Sequence, residues 1–325
     1  MTGVTYSVSG SARRFASACM ATSLLILSCL GSAFAAEQNR FATPEEGVKA
    51  LIAAAAANDS DALMAMLGPG SEELVSSGDE VADQNSRQRV AEAYAEANRI
   101  EMDEVVGAIL YLGKNDWQFP IPLVKDDAGW RFDTETGKEE ILNRRIGRNE
   151  LDTIQTALAF VDAQREYYVM NPTGDGVLQY AQKFASDPGK RNGLYWPAEG
   201  DATQSPLGLL VAEARAEGYR KKKEGEQRTP YHGYYFRILT GQGKNAPGSA
   251  YDYLAGERMI GGFALVAWPA EYGNSGIMTF LVNHDGVVYE KDLGEKTEQA
   301  VEAITLFDPD PSWKKAEQTA TAAAP

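Results

Sequence analysis

Residues Met259–Leu293 read MIGGFALVAWPAEYGNSGIMTFLVNHDGVVYEKDL, and this stretch decides the fold class of the second half of the chain. An apolar run ends at Pro269, and two segments rich in β-branched and aromatic residues follow, Ile277–Asn283 and Val287–Leu293. The His284-Asp285-Gly286 sequence between these segments is typical of a hairpin turn. The stretch therefore predicts consecutive antiparallel strands.

Helical periodicity precedes these strands. From Asn149 onward, apolar residues recur at intervals of three and four, which predicts a helix of about five turns. The aromatic segment Tyr231–Thr240 predicts a further strand. Together these elements predict an α+β domain over residues 147–313. The low-complexity segment that follows, residues 314–325, is expected to be a disordered tail.

The first half of the chain predicts another α+β domain, over residues 36–146. The sequence Thr43-Pro44-Glu45-Glu46 matches a capping box with proline in the first turn, so a helix is expected to begin here. Further on, Lys125-Asp126-Asp127-Ala128-Gly129 has the composition of a turn. It joins Trp117–Val124 to Trp130–Asp133 and thus predicts a hairpin.

Helices followed by a hairpin with a Gly129-Trp130 ending resemble nuclear-transport-factor-2-like domains. The resemblance covers about residues 40–146 and implies a cone in which a curved sheet surrounds a pocket. Pockets of this fold bind a ligand, perform catalysis or do neither. Trp117 and Trp130 are candidates to line such a pocket as ligand-binding residues, although packing in the core is the commoner role of aromatic side chains.

The first 35 residues have the pattern of an export signal peptide, residues 1–35. Arg13-Arg14 precedes an apolar stretch, Phe15–Leu30, and Ala33-Phe34-Ala35 supplies the small residues that signal peptidase requires. We expect cleavage after Ala35 and a periplasmic mature protein. There are two alternatives. One is a membrane anchor, which the short apolar stretch disfavours, and the other is a lipoprotein anchored at Cys29.

Composition narrows the classes of partner. The 325 residues contain 31 Lys and Arg against 46 Asp and Glu, which gives a formal net charge of −15. An acidic surface repels nucleic acid and anionic membranes. Past the signal, no apolar run is long enough to span a membrane. Both cysteines, Cys19 and Cys29, lie within the signal, so the cleaved chain has no thiol for disulfides, metals or catalysis.

Four stretches of the chain resemble a bacterial family of exported proteins that is catalogued as domain of unknown function 2950. These stretches are Trp117–Trp130 (WQFPIPLVKDDAGW), Asn192–Pro197 (NGLYWP), Tyr231–Thr240 (YHGYYFRILT) and Met259–Leu293. The resemblance spans the whole mature chain. It implies no particular activity, because the family has none assigned.

A second resemblance concerns the shape of the second half. Asn149–Tyr168, followed by Gly233–Leu239 and Ala267–Tyr289, is similar to the globular head of type IV pilins and pseudopilins. A pilin also needs a leader-peptidase site and a long apolar helix at its N-terminus, and we expect neither before Asn149. The resemblance therefore implies a pilin-like domain without its membrane helix and without a filament.

Catalytic signatures are scarce in this sequence. His232 and His284 are the only histidines. The chain contains no nucleophile elbow, zinc-protease motif, phosphate-binding loop or dinucleotide fingerprint. We therefore predict no catalytic residue and no cofactor. His284 belongs to the predicted turn, whereas His232 opens an aromatic strand and is the better functional candidate.

Aromatic residues are dense in the second half, and a subset of them forms the candidate ligand site. Packing in a sheet explains most of these side chains. Some are nevertheless suited to an exposed groove for a peptide or a glycan. The ligand-binding candidates are Tyr195, Trp196, His232 and Trp268.

Two charged motifs carry further hypotheses. Asp308-Pro309-Asp310 places two carboxylates two residues apart, as in some calcium loops. Some pseudopilins bind calcium near the C-terminus, so the resemblance supports this candidate, and a solvated loop is the alternative. No other metal site is predicted. Arg220-Lys221-Lys222-Lys223 is the one basic cluster identified, either a solvated loop or a docking patch for an acidic partner.

These observations favour a non-catalytic binding or assembly protein of the cell envelope, with a small ligand or another envelope protein as its partner. The alternative is a hydrolase that acts on an envelope polymer through carboxylates. Two close acids in a cleft, one of them with a raised pKa, would favour that alternative. A purely structural envelope protein is the third hypothesis, and it predicts no pocket in either domain.

Overall fold

The fold is α+β, as the sequence predicts. The computed structural model describes residues 38–197, 204–219 and 229–317. The predicted signal peptide, residues 1–35, lies outside the described residues, and so do residues 318–325 of the predicted tail. Within the described ranges, no helix combines the length and the apolar composition needed to cross a membrane.

Four helices open the described chain. They are α1 (Pro44–Ala56), α2 (Ser60–Leu67), α3 (Glu72–Val75) and α4 (Glu80–Glu96). The predicted start of α1 is confirmed, because Thr43 Oγ1 accepts a hydrogen bond from the Glu46 N–H at 3.2 Å. The Glu46 carboxylate accepts from the Ala42 N–H at 3.1 Å, one residue before the donor of a standard capping box.

An antiparallel sheet of five strands follows these helices. Its strands are β1 (Asn98–Asp103), β2 (Gly107–Leu112), β3 (Trp117–Gln118), β4 (Leu123–Asp126) and β5 (Gly129–Phe132). They lie in the order β1-β2-β4-β5, and β3 pairs with β2. The predicted hairpin is confirmed in β4 and β5, which pair from Leu123 with Phe132 to Asp126 with Gly129.

Helices α1 to α3 and this sheet share one hydrophobic cluster, which includes Leu51, Leu110 and Phe132. Helix α4 differs from them, because Asp83 is its only buried residue. Half-buried side chains of α4, such as Val90, reach the edge of the cluster. Helix α4 therefore covers the cluster as a wall and does not insert an apolar face into it.

The long helix α5 (Thr134–Met170) joins the two halves of the chain. The apolar periodicity predicts a start at Asn149, but the helix begins 15 residues earlier, counted from those two positions. The early turns are mostly polar, so apolar spacing does not reveal them. Gly137 lets this part approach the β3–β4 connection, because a Cβ there would lie 2.6 Å from the Pro120 carbonyl oxygen. The predicted domain boundary at 146/147 falls inside α5, and the division itself stays a prediction.

The second half contains another antiparallel sheet of five strands. Its strands are β6 (Tyr234–Leu239), β11 (Ala264–Pro269), β12 (Met278–Asn283), β13 (Val288–Asp292) and β14 (Lys314–Lys315). Two short ribbons lie between β6 and β11 in the chain. In the first, β7 (Gly241–Gln242) pairs with β8 (Tyr251–Asp252), and in the second, β9 (Leu254–Ala255) pairs with β10 (Arg258–Met259). The order is β14-β13-β12-β11-β6. Two helices complete this half, α6 (Gly208–Ala216) and α7 (Thr297–Glu302).

The hairpin predicted around His284-Asp285-Gly286 is confirmed by β12 and β13, which pair from Met278 with Asp292 to Val282 with Val288. Strand β11 lies inside its sheet, between β12 and β6, and all six of its residues are buried. Helix α5 packs on this sheet, and together they enclose a second hydrophobic cluster. Strand β14 lies within the predicted tail, residues 314–325.

A buried carboxylate joins the two halves. Asp79 caps α4 by accepting from the Ala82 N–H at 3.1 Å. Its other oxygen accepts from the Gly233 N–H at 3.0 Å and from the Tyr219 hydroxyl at 2.8 Å. Asp79 is 0% exposed, so these bonds replace the hydration that its charge loses on burial.

Arginine and asparagine side chains of α5 add to this junction. Arg145 donates to the carbonyl oxygens of Glu73 and Leu74 at 2.6 and 2.7 Å, and also to the side-chain oxygen of Asn274. Asn149 donates to the Ser275 carbonyl oxygen at 2.9 Å. Helix α3 and the turn before β12 are thus bound to the same helix, α5.

We predict that Asp79→Ala lowers the free energy of unfolding by about 2–4 kcal/mol, because the substitution removes a helix cap and leaves buried donors without an acceptor. Urea unfolding monitored by circular dichroism measures this loss. Asp59→Ala is the matched control. Asp59 caps α2 through the same kind of bond, to the Ala62 N–H at 2.9 Å, but is exposed, so its loss should be about 1 kcal/mol. Equal losses for the two variants would contradict a role of Asp79 beyond capping.

Candidate functional site

The first half of the chain contains a cavity of about 690 Å³. Helices α1 and α2 and strands of the first sheet form its floor, and α4 and α5 form its sides. Most of its wall is apolar. The apolar lining consists of Leu51, Ala55, Leu63, Leu67, Leu74, Val75, Val90, Ala93, Leu112, Trp117, Phe119, Pro120, Ile121 and Ile141.

The charged residues of this cavity are mainly basic. The six basic ones are Arg87, Arg89, Lys114, Arg144, Arg145 and Arg148, and the three acidic ones are Asp83, Glu92 and Glu96. In the whole chain, acidic residues outnumber basic ones by 46 to 31. The cavity therefore concentrates positive charge in an acidic protein, which favours anions at this place.

Four of the six basic side chains already have partners. Lys114 pairs with Glu96 at 2.5 Å, and Arg144 pairs with Glu140 at 2.7 Å. Arg145 is bound to backbone carbonyls as described above, and Arg87 donates to the Val75 carbonyl oxygen at 2.6 Å. These side chains hold the walls of the cavity in place.

Arg89 and Arg148 differ from those four. Among the described residues, neither forms an ion pair with a carboxylate; Arg89 donates only to the Ser86 hydroxyl, at 2.8 Å. Both are exposed as well as lining the cavity, so they lie at its opening. Desolvation lowers the pKa of Arg89, and the positive charge of Arg148 lowers it further, while Glu217 and Asp152 oppose this change. The two guanidinium groups thus line the same cavity, and their interaction is repulsive.

Asp83 is the buried acid of the cavity wall. Its carboxylate oxygens accept hydrogen bonds from the Ser77 N–H at 2.9 Å and from the Ser77 hydroxyl at 2.7 Å. Burial raises the pKa of Asp83 above its ordinary value, although the bonds from Ser77 and the charges of Arg145 and Arg87 act in the opposite direction. The neutral form of this carboxyl is therefore favoured more than in water.

Of the two tryptophans predicted to line a pocket in the first half, one lines the cavity and the other does not. Trp117 lines the cavity, with its ring edge-to-face against Phe119 and the Arg144 guanidinium 5.5 Å from its centroid. Trp130 lies half-buried on β5, with Lys125 Nζ 6.0 Å from its ring, and does not line the cavity.

Two of the candidates predicted for the second half are core residues. Trp196 and Trp268 are each 5% exposed. Trp196 lies edge-to-face against Tyr167, and Trp268 lies beside Tyr235. Tyr195 is half-buried, with the Arg215 guanidinium 5.3 Å from its ring. A shared ligand site for these residues stays a prediction.

His232 lies at a different place, between two carboxylates. Its Nδ1 is 3.5 Å from Asp152 and its Nε2 is 3.4 Å from Glu217, and Tyr231 packs against its ring at 4.2 Å. Its φ of 49° is in the left-handed region, and Gly233 follows with a φ of 74°, so the chain turns sharply into β6. The bonds of Asp79 to Gly233 and Tyr219 hold this turn.

Both calcium candidates accept hydrogen bonds from other residues of the protein. Asp308 accepts from the backbone and side-chain nitrogens of Asn245 at 2.7 and 3.0 Å. Asp310 accepts from the Ser312 N–H at 2.8 Å and from its hydroxyl. In the part of the chain that the structure describes, no three His, Cys, Asp or Glu side chains are grouped to hold a metal ion. Calcium binding here stays a prediction.

The arginines of the cavity were not predicted from the sequence. The one basic cluster identified there is residues 220–223, and these lie outside the described residues. A second basic run was visible in Arg144-Arg145-Ile146-Gly147-Arg148 on α5. Its connection with Arg89 was not visible, because α4 and α5 are far apart in the sequence.

Comparison of the sequence with known protein families gives one match. A family model described as a protein of unknown function (DUF2950) matches residues 38–316. The chain belongs to the DUF2950 family. This confirms the sequence resemblance to domain of unknown function 2950, and the cavity and its arginines lie inside the matched part. No curated protein and no solved structure matches this DUF2950 chain.

The raised pKa of Asp83 makes a prediction about stability and pH. Because this carboxyl has a higher pKa when folded than when unfolded, its stabilising contribution is complete below the unfolded value, about 4, and is lost as the pH rises through the folded value. The free energy of unfolding of the wild type relative to Asp83→Asn should therefore fall with rising pH. Urea unfolding over a pH series measures it.

The control for this experiment is Asp127→Asn, which changes an exposed acid in the β4–β5 turn. Its difference from the wild type should vary little over the same pH range. A difference for Asp83→Asn that stays constant from acid to neutral pH would contradict the effect of burial on this carboxyl.

Proposed function

We propose that this DUF2950 protein is an exported binding protein of the cell envelope and that its cavity takes an apolar ligand. The observation that carries the proposal is the cavity itself, about 690 Å³ with mostly apolar walls. Ligand pockets have volumes of about 300–1,000 Å³ and are lined mainly by apolar and aromatic side chains. A third of the chain would thus serve to enclose one ligand.

Packing supports a ligand over a structural void. Protein interiors are close-packed, and voids larger than a water molecule are few. Here Arg87 of α4 and Arg145 of α5 donate to backbone carbonyls of α3, so polar bonds between helices fix the walls of the cavity. A purely structural envelope protein has no need of such a space, and the pocket weighs against that hypothesis.

The fold assignments of the two halves belong to this proposal. Four helices followed by an antiparallel sheet around one cavity support the nuclear-transport-factor-2-like cone for residues 36–146. A long helix packed on a five-stranded antiparallel sheet supports a pilin-like domain for residues 147–313. In this view the first domain binds the ligand, and the second is available to another envelope protein.

One observation favours a second function, the carboxylate-dependent hydrolase. Asp83 lines the cavity and burial raises its pKa, which suits a general acid. Glu92 is a second acid in the same wall. Both oxygens of Asp83 are engaged by Ser77, however, as expected of a structural carboxylate. Cleavage of an envelope glycan that disappears in Asp83→Asn, with ligand binding retained, would make hydrolysis the better proposal.

Binding to the cavity can be tested with N-phenylnaphthylamine, a neutral probe whose fluorescence rises in apolar surroundings. We expect one probe molecule per chain. Ala93→Phe places a phenyl ring in the cavity and should weaken binding at least about tenfold. Val90→Phe does the same from the next turn of α4, should the first variant fold poorly.

The matched control is Ala212→Phe, which makes the same change at an exposed alanine of α6. It should bind the probe like the wild type. Folding of all variants is checked by circular dichroism. Probe binding that is absent from the wild type, or unaffected by both cavity variants, would refute the proposed site.

The proposed export signal predicts the mass of the mature protein. In the bacterial periplasm, the intact mass of the protein should correspond to a chain that begins at Ala36, because cleavage follows Ala35. Ala35→Leu puts a bulky residue at the cleavage site and should leave the precursor uncut, whereas Ala36→Leu should be processed normally. A chain that begins at Cys29 and carries a lipid mass would identify the lipoprotein alternative instead.

A further inference from the structure

We infer that the cavity selects an amphiphile with one alkyl tail and a single negative charge, whose head group is held between Arg89 and Arg148 at the opening. This inference rests on the proposed binding function of the cavity. It adds the chemical class of the ligand, which the apolar walls alone do not specify.

The first step is the state of the two arginines. The other four basic side chains of the cavity are bonded to carboxylates or to backbone carbonyls. Arg89 and Arg148 lack such partners among the described residues, and both line the same cavity, one from α4 and the other from α5. A guanidinium presents a planar set of donors that matches a carboxylate in a bidentate manner. An anion between the two would remove their repulsion.

Second, apolar side chains and arginines occupy different positions along the walls of the cavity. On α5, Ile141 lines the cavity two turns before Arg148. On α4, Val90 and Ala93 line it directly after Arg89. Both helices thus present an arginine at the opening and apolar side chains beside it. A ligand that satisfies both parts needs a charged end and an apolar body.

The third step limits the charge of the head group. The carboxylates of Asp152 and Glu217 lie on either side of His232, and Asn85, one turn before Arg89 on α4, donates to the Glu217 carbonyl oxygen at 2.8 Å. Asp152 is one turn beyond Arg148 on α5. A second negative charge on the ligand would approach these carboxylates and be repelled. The opening therefore suits a monoanion such as a carboxylate better than a dianion such as a phosphate monoester.

The experiment measures displacement of the neutral probe N-phenylnaphthylamine at neutral pH by three ligands with the same tail: dodecanoate, dodecanol and dodecyl phosphate. In the wild type, dodecanoate should bind about ten- to a hundredfold more tightly than dodecanol, as expected for charge-assisted hydrogen bonds. Dodecyl phosphate should bind less tightly than dodecanoate. Added salt should reduce the preference for dodecanoate, because the two arginines are exposed.

Two variants locate the head group. Arg148→Gln and Arg89→Gln should each lower the affinity for dodecanoate about tenfold while leaving the affinities for dodecanol and for the probe unchanged. Arg165→Gln is the matched control, an exposed arginine on the same helix α5 that does not line the cavity. It should keep the full preference for dodecanoate.

Each outcome separates the inference from the proposed function. Equal affinities for dodecanoate and dodecanol, or a preference that survives both arginine variants, would overturn the inference and leave the binding cavity intact. Tighter binding of dodecyl phosphate would overturn the limit to one charge. Failure of the neutral probe to bind would refute the proposed function itself, since no head group is involved in that measurement.

Discussion

The buried carboxylate of Asp79 is the interaction on which the cavity depends. Helix α4 buries no apolar side chain, so packing alone does not fix its position. It is held at its ends. Asp79 binds the first turn to Gly233 and Tyr219, and Glu96 in the last turn pairs with Lys114. Arg87 in the middle of α4 also donates to the Val75 carbonyl oxygen, so polar bonds along the whole helix hold it over the cavity.

Charge is distributed in this protein in two opposing ways. The chain as a whole is acidic, so its long-range field repels anionic surfaces. The cavity reverses that sign over a short distance through arginines on α4 and α5. Four of the six basic side chains are engaged in bonds to carboxylates or to backbone carbonyls, and two remain at the opening. The long-range field and the local binding chemistry are thus set by different residues.

The sequence predicts those elements whose signals are local. The capping residues at Thr43 and the turn at His284-Asp285-Gly286 depend on neighbours in the chain, and both predictions are confirmed. The start of α5 was not predicted, because Thr134 begins a polar stretch that apolar spacing does not mark. The strand β1 was not predicted either, because five of its six residues are exposed and most of them are polar. The arginine pair at the opening depends on how α4 and α5 pack, which no local pattern encodes.

The continuity of α5 has a consequence for how related sequences are able to change in length. The helix carries Gly137 against the β3–β4 connection, Arg148 at the cavity and, further on, the face that packs on the second sheet. A single inserted residue would rotate everything beyond it by about 100° and shift it by about 1.5 Å. Insertions and deletions should therefore be excluded from Thr134–Met170 across the family and collect outside this helix.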